Sequence, residues 1–204
     1  MSDQQRPPFQ SFTEEVPGWE TLSADIRYAD PFVQVSASRV RTPSRPGGVA
    51  WTIVHRKAAA IVAPMLADGR LLLVRQDRVP IRAAIWEFPA GQIDGLVGQD
   101  DAAIRETARR ELQEEAGYEL APDGELIAMG SYFSSPGFTD EHGYIFLARG
   151  VVPSAGGPRH DENEAIHECR AFTSAEIRGM IAGNEIRDAN TLSTFARMYA
   201  FGFI

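Results

Sequence analysis

The segment from Asp101 to Ala116 constrains the fold more than any other. Asp100 or Asp101 can cap a helix there, Ala103, Ile104, Ala108 and Leu112 mark one apolar face, and Gly117 supplies a C-terminal stop. On such a helix Glu111, Glu114 and Glu115 stand at i, i+3 and i+4 and share one side. Like charges at that spacing cost a bare helix roughly a few tenths of a kcal/mol per pair, so something has to compensate them. Arg110 can do part of this. A divalent cation does more, and hard carboxylate oxygens at this density suit Mg2+ or Mn2+, which keep positions for water and phosphate oxygens. In isolation a solvated glutamate-rich face is the commoner fate of such a run, so the surroundings decide.

Those surroundings are rich in β structure. Residues 1–18 read as a flexible leader, and 19–54 as an N-terminal antiparallel β region. Within it Pro31–Arg41 alternates apolar and polar residues, and a turn at 43–48 separates that run from Ala50–Val54. Ala58–Met65 and Leu71–Arg75 flank Asp68-Gly69 and predict a hairpin. A strand over Ala84–Phe88 ends at Pro89-Ala90-Gly91. After the acidic helix come β runs at 126–129, 132–133, 144–148 and 165–172. Thr173 caps a helix running towards Gly183, and Asp188 or Asn190 caps another running towards Ala200. The order predicts an α/β (α+β) domain over 55–204, an α/β/α sandwich with a mixed sheet between helices.

Composition narrows the function classes. The 204 residues suffice for one domain with a small appended lobe. A formal charge of −8 argues against nucleic acid and against a basic membrane-surface protein. Cys169 is the single cysteine, which excludes an internal disulfide and a multi-cysteine zinc site. Its flanks, His167 and Glu168, suggest a nucleophile dyad, but the adjacent Glu168 points to the opposite strand face, and no catalytic thiol is expected. No run approaches the roughly 18 apolar residues of a membrane span, and the N-terminus has no apolar signal core, so a cytoplasmic protein is expected.

The run Arg110-Glu-Leu-Gln-Glu-Glu-Ala-Gly-Tyr118, with Gly91 upstream, resembles the Nudix box, G-x5-E-x7-R-E-U-x-E-E-x-G-U with U bulky and apolar. Its second half matches throughout, Tyr118 taking the last position. The first half departs: Gly91 is the better counterpart of the family glycine, which puts about five extra residues in the loop. The first family glutamate then has Asp94, Asp100 and Asp101 as candidates. Ser134-Ser-Pro-Gly-Phe-Thr-Asp-Glu141 and Asp161-Glu-Asn-Glu164 are similar to loops of the ADP-ribose pyrophosphatase and nucleoside-diphosphate-sugar hydrolase type.

That resemblance implies metal-dependent hydrolysis of the pyrophosphate bond of ADP-ribose or a related nucleoside diphosphate sugar. The products are a nucleoside monophosphate and a sugar phosphate. It assigns metal-holding roles to Glu111, Glu114 and Glu115, with the Ala90 carbonyl and Glu164, and names Mg2+ with Mn2+ as the alternative. Glu111 and Glu115 are thereby expected to be catalytic. Glu162 becomes the candidate base, with Glu164 or Glu141 next in line, and Arg110 an orienting residue. Arg56 and Arg78 are expected at the phosphates and Trp51 on a nucleobase. Related enzymes are homodimers that exchange N-terminal strands, which residues 19–54 are long enough to do. Two other readings stay open: hydrolysis of another nucleoside diphosphate derivative, and a non-hydrolytic nucleotide-sensing Nudix domain.

The acidity is itself localised. Residues 94–119 carry eight acids against three bases, and residues 161–168 carry four acids and no base. The rest of the chain is nearly neutral, so the charge belongs to two segments.

Overall fold

In the computed structural model, residues 16–93, 101–160 and 165–204 are described. They form two compact units. One holds residues 16–58, 93 and 133–142; the other holds 59–92, 101–132, 143–160 and 165–204.

The first unit contains a three-stranded antiparallel sheet of β1 (Glu20–Ala29), β2 (Gln34–Thr42) and β3 (Arg45–His55) in that order. The connection between β2 and β3 is shorter than the sequence suggests. Thr42 pairs with Arg45, so the turn is Pro43-Ser44, and Pro46, Gly47 and Gly48 lie in β3 rather than in a long turn. An edge strand tolerates this, because a proline there forfeits no ladder bond that a neighbour needs. Alternation along β2 holds, but its buried positions are polar: Gln34, Ser36 and Ser38. Every residue of β1 is exposed.

The second unit is built on a sheet of order β10-β5-β4-β9-β8. Its strands are β4 (Ala59–Met65), β5 (Leu71–Arg78), β8 (Tyr118–Phe133), β9 (His142–Pro153) and β10 (Ile166–Phe172). β4 runs parallel to β9, while β5 is antiparallel to β4 and β10, so the sheet is mixed as expected. β8 is one long strand where the sequence shows only fragments, because tertiary pairing overrides weak local patterns.

The expected hairpin closes only at its tip. Leu66 N–H bonds the Arg70 carbonyl and Met65 pairs with Leu71, but beyond that the two strands part. The chain between them is β6 (Ala83–Glu87) and β7 (Ala90–Gln92). β6 pairs with β5 from Arg78↔Ala83 to Val74↔Glu87, and β7 pairs with β4 over Ala59–Ile61. Val62 N–H adds a bond to the Pro89 carbonyl. Residues 83–92 therefore form a wedge in the sheet, which brings Glu87, Ala90 and Gly91 inside.

Strand alternation divides the packing. Ile61, Ala63 and Leu73 enter a core with Phe88, Ile177 of α2 (Ser174–Ala182) and Met198 of α3 (Ala189–Ala200). Helix α1 (Asp101–Glu114) packs on β4 and β7 through Ile104, Ala108 and Leu112, apart from that core. Helices thus cover both faces, the sandwich the sequence predicts. Thr173 caps α2 in a capping box with Glu176, and Asp188 caps α3.

Candidate active site

The acidic face of α1 is turned inward. Glu111 is 4% exposed and Glu115 2%, whereas Glu114 is half-buried. Arg110 answers the like-charge repulsion, with Nη2 2.9 Å from Glu111 Oε1 and Nη1 3.0 Å from Glu114 Oε2. It also donates to the Gln92 carbonyl at 3.4 Å, which ties α1 to β7. The orienting role expected for Arg110 matches this geometry.

The wedge meets the helix at two points. Ala90 N–H donates to Glu115 Oε2 at 2.9 Å. Gly91 faces Glu111 so closely that a β-carbon on it would lie 2.0 Å from Oε1 and 2.1 Å from Cδ. A side chain cannot be accommodated there, which is the physical reason for glycine after Pro89-Ala90. The Pro89-Ala90-Gly91 segment and the carboxylates of Glu111 and Glu115 are thus in direct contact.

At its C-terminal end α1 stops as the sequence predicts. Gly117 takes φ +72° and its N–H reaches the Gln113 carbonyl. Arg159 N–H donates to the Glu114 carbonyl, and His160 Nε2 lies 3.3 Å from the Glu115 carbonyl. On the far side of residues 161–164, the Ala165 carbonyl accepts from Asp77 N–H. Glu162 and Glu164 themselves lie outside the described residues, as do Asp94 and Asp100. Asp101 opens α1 and pairs with Arg105.

Sequence reasoning passed over Glu87, the last residue of β6. It is 4% exposed and accepts from Arg78 Nε at 3.0 Å and 2.9 Å, with a further bond from Nη2. Burial pushes the Glu87 carboxyl up, Arg78 pulls it back, and the Asp188 charge adds to the rise. Burial works against the Arg78 charge, but the bonds and attraction of Glu87, with Glu115 and Asp188 nearby, hold it above the ordinary arginine value. Its only sequence signal was a charged residue in an apolar strand. Cys169, paired with Val74 on β5, has its thiol pushed up to about 11 by desolvation and the Glu115 charge. A thiol so protonated is no nucleophile.

The first unit holds the other two expected contacts. Trp51 on β3 is half exposed, and its indole N–H donates to the Gly137 carbonyl at 2.9 Å. Arg56 Nε lies 3.2 Å from Glu141 Oε1, and its backbone N–H reaches Asp140. His55 sits between Ser36 Oγ at 3.0 Å and Asp140 Oδ2 at 2.6 Å. This has the composition of a nucleophile triad, but Ser36 is 1% exposed and no substrate reaches it. Arg56, Ser134, Ser135, Phe138, Glu141 and Phe32 line a cleft of about 400 Å³ in the same unit.

The donors of α1 are all hard oxygens, two of them on buried carboxylates, and that set fits a divalent cation. Among the described residues no three His, Cys, Asp or Glu side chains are gathered as a ready cage. Arg110 pairs with both Glu111 and Glu114, while Glu115 accepts from the Ala90 N–H.

Residues 54–195 match the NUDIX domain family model. The chain is 27% identical to an ADP-ribose pyrophosphatase of Bacillus subtilis (strain 168), over 84% of this chain and 88% of that protein. It is 28% identical to an ADP-ribose pyrophosphatase of Mycobacterium tuberculosis (strain ATCC 25618 / H37Rv), over 89% and 84% respectively. A methanol dehydrogenase activator of Bacillus methanolicus is 29% identical over 85% and 88%. Among solved structures, an ADP compounds hydrolase superposes with a TM-score of 0.70 at 18% identity, covering 94% of this chain and all of that one, which is a likeness of fold. The chain belongs to the NUDIX domain family and is a Nudix pyrophosphohydrolase, a class that generally uses divalent metal ions.

Proposed function

We propose that the protein hydrolyses the pyrophosphate bond of ADP-ribose or a related nucleoside diphosphate sugar, giving a nucleoside monophosphate and a sugar phosphate. The observation that carries this reading is the join of the Pro-Ala-Gly turn to the acidic helix. Ala90 N–H holds Glu115, and Gly91 leaves room only for the Glu111 carboxylate. The Ser134–Glu141 loop and two relatives named ADP-ribose pyrophosphatase support the substrate class.

Glu111, Glu114 and Glu115, with the Ala90 carbonyl and Glu164, would hold Mg2+. When bound, such a cation would supply Lewis-acid stabilisation of the negative charge that develops on the diphosphate. The protein's own contribution is alignment and proton transfer. Arg110 holds Glu111 and Glu114 on one side of α1, and the Ala90 N–H fixes Glu115. Glu162 takes the proton from the attacking water. His160 lies against the Glu115 carbonyl and the Ala165 carbonyl accepts from Asp77 N–H, and these two residues border that acidic segment in the sequence, which supports the reading. Arg56 and Arg78 bind phosphate and Trp51 stacks on the base. The domain boundaries of the sequence reading, 19–54 and 55–204, are retained.

We also infer a homodimer. The wholly exposed edge strand β1, with Leu22, Ile26 and Tyr28 on it, supports a second copy as its cover.

The test is incubation with Mg2+ and a panel of ADP-ribose, nucleotide sugars and dinucleoside polyphosphates, with phosphate measured after coupled phosphatase. ADP-ribose or a nucleotide sugar should be the best substrate, and Glu115→Gln should abolish most turnover while the fold persists. No release from any member overturns the reading. Release only from dinucleoside polyphosphates moves the enzyme to another diphosphate derivative.

A further inference from the structure

We propose that Glu87 is a positioning residue that presets Arg78 as a fork for the substrate diphosphate. The proposal rests on the function above for the role of Arg78, but the orientation of that arginine is visible in its own bonds. A guanidinium has five N–H donors in a rigid plane. Glu87 engages the inner edge, taking Nε–H and an Nη2 proton. Among the described residues no other group bonds the remaining edge, and the Arg78 side chain is 39% exposed while that of Glu87 is 5%. One edge of the guanidinium is therefore held by a buried carboxylate while more than a third of the Arg78 side chain stays open to solvent.

Stability alone does not call for this arrangement. A buried ion pair is often replaced by apolar residues of similar volume at no loss, because desolvation offsets the attraction. Strand alternation also puts Val74, Gln76 and Arg78 on one face of β5, and Glu87 is opposite Val74. Gln76 on that face is 5% exposed, and its Oε1 has no hydrogen-bond partner among the described residues. A buried acceptor left unmatched is costly, and it marks a polar lining not closed by the protein itself. The wedge thus carries two anchors three residues apart: Glu87 for Arg78 and Ala90 for Glu115.

The sign of one measurement separates positioning from plain electrostatics. Glu87→Gln removes a negative charge near a diphosphate, so charge alone predicts tighter anion binding. Loss of the anchor predicts weaker binding. Binding of inorganic pyrophosphate without added metal, by calorimetry, and KM for ADP-ribose with Mg2+ are the two readouts. We expect Glu87→Gln to weaken pyrophosphate binding and raise KM by about tenfold, with kcat within about threefold. Arg78→Ala should lose as much, and the double variant no more than Arg78→Ala alone. Should Glu87→Ala fail to fold, the isosteric glutamine carries the test. Tighter binding in Glu87→Gln, additive losses, or no pyrophosphate binding by the wild type would overturn the proposal. A wild type that binds pyrophosphate yet hydrolyses no panel member sinks the proposed function and leaves the role of Glu87 standing.

Discussion

At the scale of single residues, the site depends on contacts that leave no slack. A β-carbon on Gly91 would fall 2.0 Å from Glu111 Oε1, so Gly91→Ala must displace either the turn or the carboxylate. Displacement of about 1 Å is enough to cost ~100-fold in rate. We expect that loss in kcat for Gly91→Ala, with the far-UV dichroism unchanged; wild-type kcat would remove the cradle from the mechanism. Glu162→Gln addresses the proton instead. It should lower kcat by about 100-fold or more with a milder change in KM, and an unchanged rate would move the base to Glu164 or Glu141. Gly91 and the three glutamates were legible because their residue types and spacing carry the chemistry directly. Glu87 was not, since a lone acid in an apolar strand signals nothing until its partner nine residues back is folded against it.

At the scale of elements, local rules worked where local physics decides. Helices α2 and α3 start at their expected caps, because a side chain accepting from its own first turn needs no tertiary partner. In α2 the Glu176 carboxylate accepts from Thr173 N–H and its hydroxyl, and these bonds hold its pKa below the ordinary glutamate value. A depressed folded-state value gives stability that is present above the unfolded pKa and lost as pH falls through the folded one. Wild type should therefore exceed Glu176→Gln in Tm at pH 7, and the difference should vanish as pH drops below the usual carboxylate range. A gap that persists there would mean the cap does not work through charge. Strand pairing was less legible. Asp68-Gly69 gave the turn, but only the arrival of residues 83–92 decides how far β4 and β5 stay together.

At the scale of the whole molecule, the mixed-sheet Nudix fold expected from the sequence holds, and the acidity is concentrated in residues 94–119 and 161–168. The N-terminal sheet has a different character. Its inner strand buries Gln34, Ser36 and Ser38, and its outer strand exposes Leu22, Ile26 and Tyr28. A strand that leaves its apolar side chains this exposed gains little from folding alone, and a second copy would supply the missing cover. Light scattering should give a mass near twice the 22.4 kDa of the chain, and a monomer across micromolar concentrations would refute the dimer. The same molecule has a constraint on how it can be assembled. Most hairpins zip from the turn outward, each pair lowering the entropy cost of the next. Here the zip halts after Met65↔Leu71, because the sites further along are taken by β6 and β7. The strands that fill the gap between β4 and β5 are thus the ones that carry Ala90 and Gly91 to the glutamates, so a change that loosened β6 or β7 would be felt in the sheet and at Glu111 and Glu115 together.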